Sequence, residues 1–594
     1  MKHLAENHEL FSINKIEIMT PTDLPEINSN AVLIFDLSKT TKSSKEIFNT
    51  LCSYIIDAPQ KTIFNFIGKH EIIAELAYLL EKGSNVHYQY LITLRKKLSA
   101  DTSILPTETL LLLTVSKEEK IKVNRVLLPY TYCPECEKTT KDYGGKKHTF
   151  HQFGTTMSDV WKDIFFDEEE SIFTAQNMII VERIALMFSK RENEIIVFDL
   201  SKFAWTNNNE IKISYPTLIN LEGNNEIELK LHENEIIQGN SLEVLKTLPS
   251  NSIDYVFIDP PYNLEKKYSS YGDDMDIENY FTWCDEWIEE SLRVLKEGAF
   301  LSILNIPQWC IRHFVYLIQR ADFDSWITWD SLSKPAGSVM PANYTILNFS
   351  KRKTNSNRKK INLNTTAKYM QPLKDGYCLR ASCIKKRSEV KTKSLSDLWT
   401  DIHRIKHNSL RYDHPCQLPP DLMKRIIEVY SNPDDLVLDF FNGVGTTTLA
   451  ADLIERKYLG FDLDPKYVDV AKQRHQMIKD GLDPFGKNNI DDENKTKNNT
   501  LKRVSKRRPE HKHINKKEVQ LKMKELSVKI GRKPTIEDAL EYFPEIPKEF
   551  YELYFKSWSE VIIATKVEGV NENKHPGDKG NKSKKRTEQQ SFEL

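Results

Sequence analysis

The sequence predicts an α/β fold, because short apolar segments repeatedly end in an acidic residue and then pass into a turn or a helix. The clearest examples are residues 255–258, 436–438 and 458–461. Short apolar runs of this kind are typical of buried parallel strands. Ligands of open α/β sheets bind beyond the carboxyl ends of the strands, so we expect the functional site there.

Length and composition limit the class of protein. A chain of 594 residues is too long for a single hydrophobic core, so we expect three or more domains. The formal net charge of −1 provides no global basic field, and any nucleic-acid-binding surface must therefore be local. Since the sequence shows neither a signal peptide nor a run of about 18 apolar residues, we expect a cytoplasmic protein without membrane contact.

The strongest local pattern is the acid–proline segment that follows the strand at 255–258. This segment consists of Asp259, Pro260, Pro261 and Tyr262. Proline has no N–H to continue a sheet and disfavours helix in the residue before it. The strand must therefore end in a stiff, extended loop that presents a carboxylate, backbone carbonyls and an aromatic ring.

A second pattern is a glycine-containing turn between a strand and a helix. Gly443 and Gly445 follow the strand at 436–439 and precede a helix predicted over 448–455. Glycines at such a place let the backbone approach a ligand at the helix amino terminus. The next strand ends at Asp462, about twenty residues after the turn, where an acidic residue is placed to bind ribose hydroxyls.

Together these patterns resemble the DNA amino-methyltransferases of the beta group, which modify exocyclic amines of DNA bases. The matching motifs are DPPY at 259–262, HPxQxP at 414–419, FxGxG at 441–445 and the strand that ends in Asp462. DPPY precedes the glycine turn, as in the beta group, with a target-recognition segment between them at 310–395. The resemblance implies a Rossmann-like fold that uses S-adenosylmethionine.

The resemblance also implies roles for single residues. The catalytic residues would be Asp259, Pro260, Pro261 and Tyr262, with the carboxylate and the Pro260 carbonyl accepting the two hydrogens of an adenine N6. The tyrosine ring would stack on the base after it has been flipped out of the duplex. The residues assigned to the cofactor are Asn240, His414, Gln417, Asp439, Phe441, Gly443, Gly445, Thr446 and Asp462.

Three positions depart from the family pattern. Asn240 replaces the usual aspartate, Leu418 replaces a lysine and Phe440 replaces a proline. An asparagine carbonyl can still accept a hydrogen bond from the cofactor's adenine amine, but more weakly than a carboxylate.

The implied function is site-specific N6 methylation of adenine in double-stranded DNA, as the modification component of a restriction–modification system. A cognate restriction endonuclease would then be a separate chain. One alternative is a cytosine-N4 enzyme, although family members of that kind usually carry serine at the position of Asp259. The others are a modification subunit of a multi-subunit restriction enzyme and a catalytically inactive DNA-binding protein.

The catalytic domain is predicted over residues 225–478. Within it, residues 289–297 are expected to form a helix that Gly298 ends. The target-recognition segment contains Trp326, Trp329 and several basic runs, which we expect to contact bases and phosphates. The alternative for this segment is a solvated insertion of variable sequence.

Residues 1–215 are predicted to be a degenerate copy of the catalytic domain, giving an internal pseudo-dimer. Segments of this half recur in the other half at similar offsets, such as the SDVW sequence at 158–161 and the SDLW sequence at 396–399. Neither DPPY nor a glycine-rich loop is present in the first half, so it should lack the chemistry. Coincidence among short α/β elements is the alternative.

Four cysteines suggest a structural zinc site that joins the two halves. Cys133 and Cys136 form a C-x-x-C pair, and Cys378 and Cys383 form a looser second pair. Four thiolates suit tetrahedral zinc. The alternatives are a redox pair and buried free cysteines.

The carboxyl-terminal region is predicted to contain a basic linker at 480–515, a helical module at 516–570 and a disordered tail at 571–594. The module resembles a small helical repeat found attached to homing endonucleases, with its G-x-x-P-T and F-x-S-W signature. The resemblance implies an accessory DNA-binding module. A helical protein–protein interaction domain is the alternative.

Overall fold

The protein was analysed as a computed structural model. The residues that the structure describes are 16–19, 24–27, 29–99, 105–128, 130, 132–133, 138–139, 154–188, 194–200, 203, 205, 211–219, 232–264, 275–331, 337–352, 371–372, 392–405, 412, 416–485, 514, 516–555 and 558–562. The chain forms two compact units, one built from residues 1–137, 156–495 and 587–594, the other from residues 138–155 and 496–586.

The first half of the larger unit is organised around a seven-stranded sheet with the order β1-β11-β2-β3-β5-β4-β10. The strands in this part of the sequence are β1 (Ile16–Met19), β2 (Ala31–Asp36), β3 (Ile63–Gly68), β4 (His87–Ser99), β5 (Thr107–Ser116), β6 (Leu127–Leu128), β7 (Tyr132–Cys133), β8 (Lys138–Thr139), β9 (Thr155–Thr156), β10 (Val160–Phe166) and β11 (Glu194–Asp199), of which β8 belongs to the smaller unit. Its helices are α1 (Ser44–Asp57), α2 (His70–Gly83) and α3 (Ala175–Phe188).

The second half is organised around an eight-stranded sheet with the order β12-β21-β20-β13-β14-β16-β15-β19. The strands are β12 (Glu235–Gln238), β13 (Ile253–Ile258), β14 (Leu295–Asn305), β15 (Ala321–Asp330), β16 (Asn343–Lys351), β17 (Gln371–Pro372), β18 (Thr392–Lys393), β19 (Leu398–Trp399), β20 (Leu436–Asp439) and β21 (Lys457–Asp462). The helices are α4 (Ser241–Lys246), α5 (Ile277–Val294), α6 (Pro307–Leu317), α7 (Pro420–Tyr430), α8 (Thr446–Leu453) and α9 (Pro465–Lys479).

The fold is therefore α/β, as the sequence predicts, with parallel strands at the centre of the second sheet. Strand β13 pairs in parallel with β14 on one side and with β20 on the other. All six residues of β13 are buried, which explains their apolar composition. Strand β21 continues the parallel arrangement next to β20, so the carboxyl ends of three strands meet at one edge.

The two sheets share one strand pattern. The order β11-β2-β3-β5-β4-β10 in the first sheet matches β20-β13-β14-β16-β15-β19 in the second. The fourth strand of each series is antiparallel to its neighbours, and the last is parallel to the one before it. In the first sheet β1 pairs in parallel with β11, in the position that β21 has beside β20, and no described strand takes the outer position of β12.

Side chains in the first half repeat the pattern of the second. The indole of Trp161 donates to the carbonyl of Ser158 at 3.0 Å. The guanidinium of Arg183 lies 5.0 Å from the ring of Trp161 and forms a two-bond ion pair with Asp163.

The second half contains the same arrangement. Trp399 donates to the carbonyl of Ser396 at 2.8 Å, and the guanidinium of Arg425 lies 5.2 Å from the tryptophan ring. Arg425 forms a two-bond ion pair with Asp401. The recurrence of sequence segments thus corresponds to a recurrence of contacts.

The prediction that Gly298 ends a helix over 289–297 is wrong. Helix α5 ends at Val294, and β14 begins at the next residue. The pairing of β14 with β13 shifts register within the stretch that contains Gly298, which has a φ of +74°. Gly298 therefore lies in an irregular part of the strand, where the backbone needs a positive φ.

The start of the target-recognition segment was also predicted wrongly. Trp326 and Trp329 lie in β15 and are each 1% exposed, so both indoles pack in the core and cannot read bases. The side-chain ammonium of Lys351, at the end of β16, donates to the backbone carbonyl of Leu295 at 2.7 Å. The core sheet continues to Lys351, and the basic runs at 358–360 and 385–387 lie outside the described residues.

The smaller unit contains the helices α10 (Lys516–Ile530), α11 (Ile536–Tyr542), α12 (Lys548–Tyr554) and α13 (Trp558–Val561). Thr535 and Asp538 form a capping box that begins α11, and Gly531 has a φ of +64° after α10. Trp558 donates to the carbonyl of Pro534 at 2.9 Å. These residues of the G-x-x-P-T and F-x-S-W signature thus hold the small helical fold together.

In the part of the chain that the structure describes, every helix is too short or too polar to cross a membrane.

Candidate active site

The acid–proline segment begins where β13 ends. Its residues follow directly from the buried strand and face the ends of β14 and β20. The Tyr280 hydroxyl donates to the carbonyl of Pro261 at 2.8 Å, and the Trp309 indole donates to the carbonyl of Tyr262 at 2.8 Å. Two aromatic side chains from helices α5 and α6 therefore hold the loop in place.

These bonds distinguish the carbonyls of the segment from one another. The carbonyls of Pro261 and Tyr262 are occupied. The carbonyl of Pro260 accepts no hydrogen bond from any residue that the structure describes. Among these three, the Pro260 carbonyl is thus the one that remains for a ligand.

The carboxylate of Asp259 is bonded to the aromatic residue of the same loop. The Tyr262 hydroxyl donates to Asp259 Oδ1 at 2.7 Å. Burial raises the pKa of Tyr262 well above its usual value, so the phenol stays protonated and remains a donor. Its ring centroid lies 6.1 Å from that of Tyr344, at the start of β16.

Phe441, directly before the glycine turn, lines a cleft together with the acid–proline segment. Gly445 begins helix α8 with a φ of +85°, and a Cβ atom there would lie 2.9 Å from the Cβ of Ala471. Glycine is required at this position for both reasons. The backbone N–H of Gly443 donates to Asp462 Oδ2 at 2.7 Å, which connects the turn to the end of β21.

The acid at the end of β21, Asp462, is partly buried at the base of the turn. Its other oxygen accepts from the backbone N–H of Asp464 at 2.9 Å. Burial raises the pKa of Asp462 to about 6, and the two backbone hydrogen bonds oppose that shift. Near neutral pH the group is largely ionised and can accept hydroxyl hydrogens.

A cleft of about 380 Å³ connects these two parts of the site. Its lining residues are Asn240, Ser241, Asp259, Pro260, Pro261, Tyr262, Met275, Trp283, Cys416, Phe441, Asp462, Leu463 and Tyr467. The four predicted catalytic residues thus lie in one cleft with Phe441 and Asp462. Its walls are mainly apolar, and few polar groups are placed to orient a ligand.

Several lining residues had not been assigned to the site from the sequence. Trp283 lies edge-on to Phe441, with ring centroids 5.5 Å apart. Met275 exchanges two backbone hydrogen bonds with the side chain of Asn263, at 2.7 and 2.8 Å. Neither Trp283 nor Met275 belongs to a recognisable sequence motif.

Other residues that were predicted to bind the cofactor make hydrogen bonds within the protein. Asp439 is buried and accepts from the backbone N–H of Phe441 at 2.9 Å, and burial raises its pKa to about 7. Gln417 accepts from the backbone N–H of Tyr412 at 2.9 Å. Asn240 lines the cleft, but its carbonyl oxygen already caps helix α4. His414 lies outside the described residues.

The remaining predicted residues, Gly443, Gly445 and Thr446, form the turn and the first residue of α8 and do not line the cleft. Thr446 is buried.

The structure describes only one of the four predicted zinc ligands. Cys133 is buried, whereas Cys136, Cys378 and Cys383 lie outside the described residues. No cluster of three or more metal-ligating side chains occurs among the described residues. The zinc site therefore stays a prediction.

The parallel strands, the acid–proline segment and the glycine turn with the acid of β21 define a methyltransferase of the Rossmann-like class. The family model described as DNA methylase matches residues 253–473, which include every residue that lines the cleft except Asn240 and Ser241.

Characterised relatives match the same region. Type II methyltransferase M.BamHI of Bacillus amyloliquefaciens is 35% identical over 236 residues, 39% of this chain and 54% of the relative. M.HpaI of Haemophilus parainfluenzae is 30% identical over 258 residues, 42% of this chain and 77% of the relative. DNA adenine methyltransferase YhdJ of Escherichia coli is 30% identical over 248 residues, 40% of this chain and 81% of the relative.

The chain thus spans about half the length of M.BamHI and more than two thirds of the other two relatives. It belongs to the DNA methylase family.

Proposed function

We propose that the protein transfers a methyl group from S-adenosylmethionine to the N6 amine of adenine in double-stranded DNA. The observation that supports the proposal is that Asp259 and Pro260 line the same cleft as Phe441 and Asp462. The relationship to the Escherichia coli protein named DNA adenine methyltransferase supports adenine as the base.

The chemistry of the cleft suits this cofactor. Asp462 offers a partly buried carboxylate for ribose hydroxyls, and Phe441 and Trp283 offer aromatic walls for the apolar part of the ligand. When bound, S-adenosylmethionine supplies an electrophilic methyl group on sulfur. The turn at Gly443 and Gly445 gives the ligand a close approach to the backbone.

The residues of the acid–proline segment would act on the base. Asp259 and the Pro260 carbonyl accept the two N6 hydrogens, which directs the nitrogen lone pair out of the ring and towards the methyl carbon. The N–C bond forms as the C–S bond breaks, and one proton leaves the amine. Holding the amine in line with the methyl carbon would contribute much of the rate enhancement, because it makes the reaction of two molecules effectively unimolecular.

We propose that the first half is a degenerate copy that has lost this chemistry. Its equivalent of the acid–proline segment is Asp36-Leu37-Ser38-Lys39, without prolines or an aromatic residue. The shared strand order and the repeated Trp–Arg–Asp contacts support a duplication. The internal pseudo-dimer would then replace a second subunit.

We also propose that the chain is the modification component of a restriction–modification system, with a separate endonuclease chain. Its relationship to M.BamHI and M.HpaI, both named Type II methyltransferases, supports this role. We further propose that residues 516–570 bind DNA. Removing that module should weaken DNA binding in a salt-dependent way and leave cofactor affinity unchanged.

The test is a methyl-transfer assay with the purified full-length chain, labelled S-adenosylmethionine and genomic DNA. Digestion of the product and mass spectrometry should yield N6-methyladenine. Asp259→Ala should remove that product while its thermal unfolding stays close to that of the wild type. Product in the form of N4-methylcytosine, or no transfer by the folded protein, would refute the proposal.

A further inference from the structure

The first half of the chain holds the strand that carries Tyr344. Met340 donates its backbone N–H to the carbonyl of Met157 at 2.8 Å, and the backbone N–H of Asp159 donates to the carbonyl of Met340 at 3.1 Å. The segment that leads into β16 is therefore bonded to the first half by backbone hydrogen bonds in both directions.

One buried carboxylate completes this attachment. Asp159 Oδ1 accepts the backbone N–H groups of Ala342 at 2.8 Å and Asn343 at 3.0 Å. The side-chain amide of Asn343 donates to the hydroxyl of Thr93 in β4 at 3.1 Å. Ala342 and Asn343, the two residues that immediately precede Tyr344, are thus held by hydrogen bonds to side chains of the first half.

Tyr344 passes this restraint on to the active site. Its ring centroid lies 6.1 Å from that of Tyr262 and 5.6 Å from that of Trp329. Its hydroxyl accepts from Arg404 at 3.0 Å, which fixes the far end of the ring. Tyr262 is the residue whose hydroxyl bonds Asp259, so a shift of Tyr344 changes the wall against which the catalytic tyrosine packs.

The second half makes an equivalent contact with the first half through Asp397, the counterpart of Asp159. Asp397 of the second half accepts the backbone N–H of Glu108 at 2.7 Å and the hydroxyl of Thr109 at 2.6 Å. This carboxylate is also buried and holds the start of β5, which carries no cleft residue. The two aspartates thus make matching bonds in opposite directions across the interface.

We propose that the degenerate first half positions the catalytic tyrosine: Asp159 fixes the start of β16, and Tyr344 transmits that position to Tyr262. The inference rests on the proposed function, because it assigns a role to the half that has lost its own chemistry. Asp159 and Tyr344 are positioning residues and touch neither base nor cofactor.

The test compares Asp159→Ala with Asp397→Ala in the full-length protein. Each variant leaves two donors without their acceptor, two N–H groups in Asp159→Ala and one N–H and one hydroxyl in Asp397→Ala, so both should lower the melting temperature by a similar amount. At a temperature well below both transitions, Asp159→Ala should lower kcat about tenfold, with KM for DNA and cofactor within about twofold. Asp397→Ala should keep kcat within about twofold of the wild type.

Asp159→Asn retains an oxygen for both N–H groups and should restore kcat. Tyr344→Leu should reproduce the kcat defect, and the double variant with Asp159→Ala should be no slower than the single variants, because both act through one path. Equal kcat values for Asp159→Ala and Asp397→Ala would overturn the inference. If Asp159→Ala does not fold, a wild-type kcat in Tyr344→Leu would overturn it instead.

The same assay separates this inference from the proposed function. A wild-type protein that transfers no methyl group to adenine refutes the proposed function. A wild type that does transfer it, together with active Asp159→Ala and Tyr344→Leu variants, refutes only the positioning role.

Discussion

The Tyr262 hydroxyl donates a hydrogen bond to Asp259 Oδ1 at 2.7 Å within the acid–proline loop. The residue expected to stack on the base therefore also orients the carboxylate expected to bind its amine. One oxygen of the carboxylate is held by the phenol, and the rotation of the whole group is restricted. Stacking and orientation can be separated by removing only the hydroxyl.

We predict that Tyr262→Phe lowers kcat about tenfold and leaves KM for DNA nearly unchanged, because a hydrogen bond to a charged group contributes roughly 1.5–3 kcal/mol and the stacking ring remains. Steady-state methyl transfer measures both constants. The matched control is Tyr255→Phe, which removes a buried hydroxyl bonded to Ser302 in the same sheet. It should affect stability alone. An unchanged kcat in Tyr262→Phe would show that the hydroxyl has no orienting role.

Asp462 makes cofactor binding dependent on pH. Burial raises the pKa of its carboxyl from 3.8 to about 6, so the acid becomes protonated as the pH falls through that value. A ribose hydroxyl then loses its charged acceptor. We predict that affinity for S-adenosylhomocysteine is constant above about pH 7 and falls below pH 6, by at most about tenfold per pH unit for a single group.

Calorimetric titration between pH 5 and 8 measures this dependence. Asp462→Asn should bind more weakly at every pH and lose the acidic fall in affinity, because no ionisation remains at that position. The same pH profile in wild type and variant would assign the dependence to another group, with Asp439 and its pKa of about 7 as the nearest candidate.

Cys416 should make the enzyme sensitive to thiol reagents. This cysteine lines the cleft and is partly exposed, whereas the other described cysteines are buried, namely Cys52, Cys133, Cys284 and Cys310. We predict that iodoacetamide inactivates the protein and that bound S-adenosylhomocysteine slows the inactivation. Inactivation rates are compared after normalising each variant to its own starting activity. The Cys416→Ser variant should resist iodoacetamide. If this variant is inactivated as fast as the wild type, the reactive thiol is another cysteine.

A buried histidine supports the glycine turn. His475 Nδ1 lies 2.8 Å from Asp452 Oδ2, and its Nε2 lies 3.1 Å from the hydroxyl oxygen of Thr448, which is also 3.0 Å from Asn442 Oδ1. Burial lowers the pKa of His475, so the neutral imidazole connects a carboxylate to the turn. The chain of bonds ends next to Gly443.

We predict that His475→Ala lowers the free energy of unfolding by about 1–3 kcal/mol, because it leaves buried polar partners unpaired, and weakens cofactor binding several-fold. Denaturant titration and calorimetry measure the two effects. Gln476→Ala is the control, since that side chain makes only an exposed contact with Asp480. Cofactor affinity unchanged in His475→Ala would confine the network to stability.

The chemistry of the site was open to prediction because its signals are local. A strand that ends at Asp-Pro-Pro-Tyr, and a strand that ends in a glycine turn, each specify their own backbone within a few residues. Since both strands belong to one parallel sheet, Asp259 and Asp462 were expected at one edge, and both line the same cleft.

The errors have an equally physical cause. Trp326 and Trp329 lie among basic runs in the sequence, which suggested base reading. Their burial depends on β15 lying between β16 and β19, and β19 lies some seventy residues further along the chain. Gly298 was interpreted as a helix end because positive φ is common there, but a bulge in a strand needs the same conformation.

The α/β class, the acid–proline segment, the glycine turn and the acid that follows it could be predicted from the sequence, since each depends on short-range backbone preferences. That Trp283 and Met275 complete the cleft, and that Asp159 holds the residues before Tyr344, became visible in the folded chain alone. Contacts between such distant residues depend on how two sheets pack together. That packing is set by the sum of many weak apolar contacts, and no single motif encodes it.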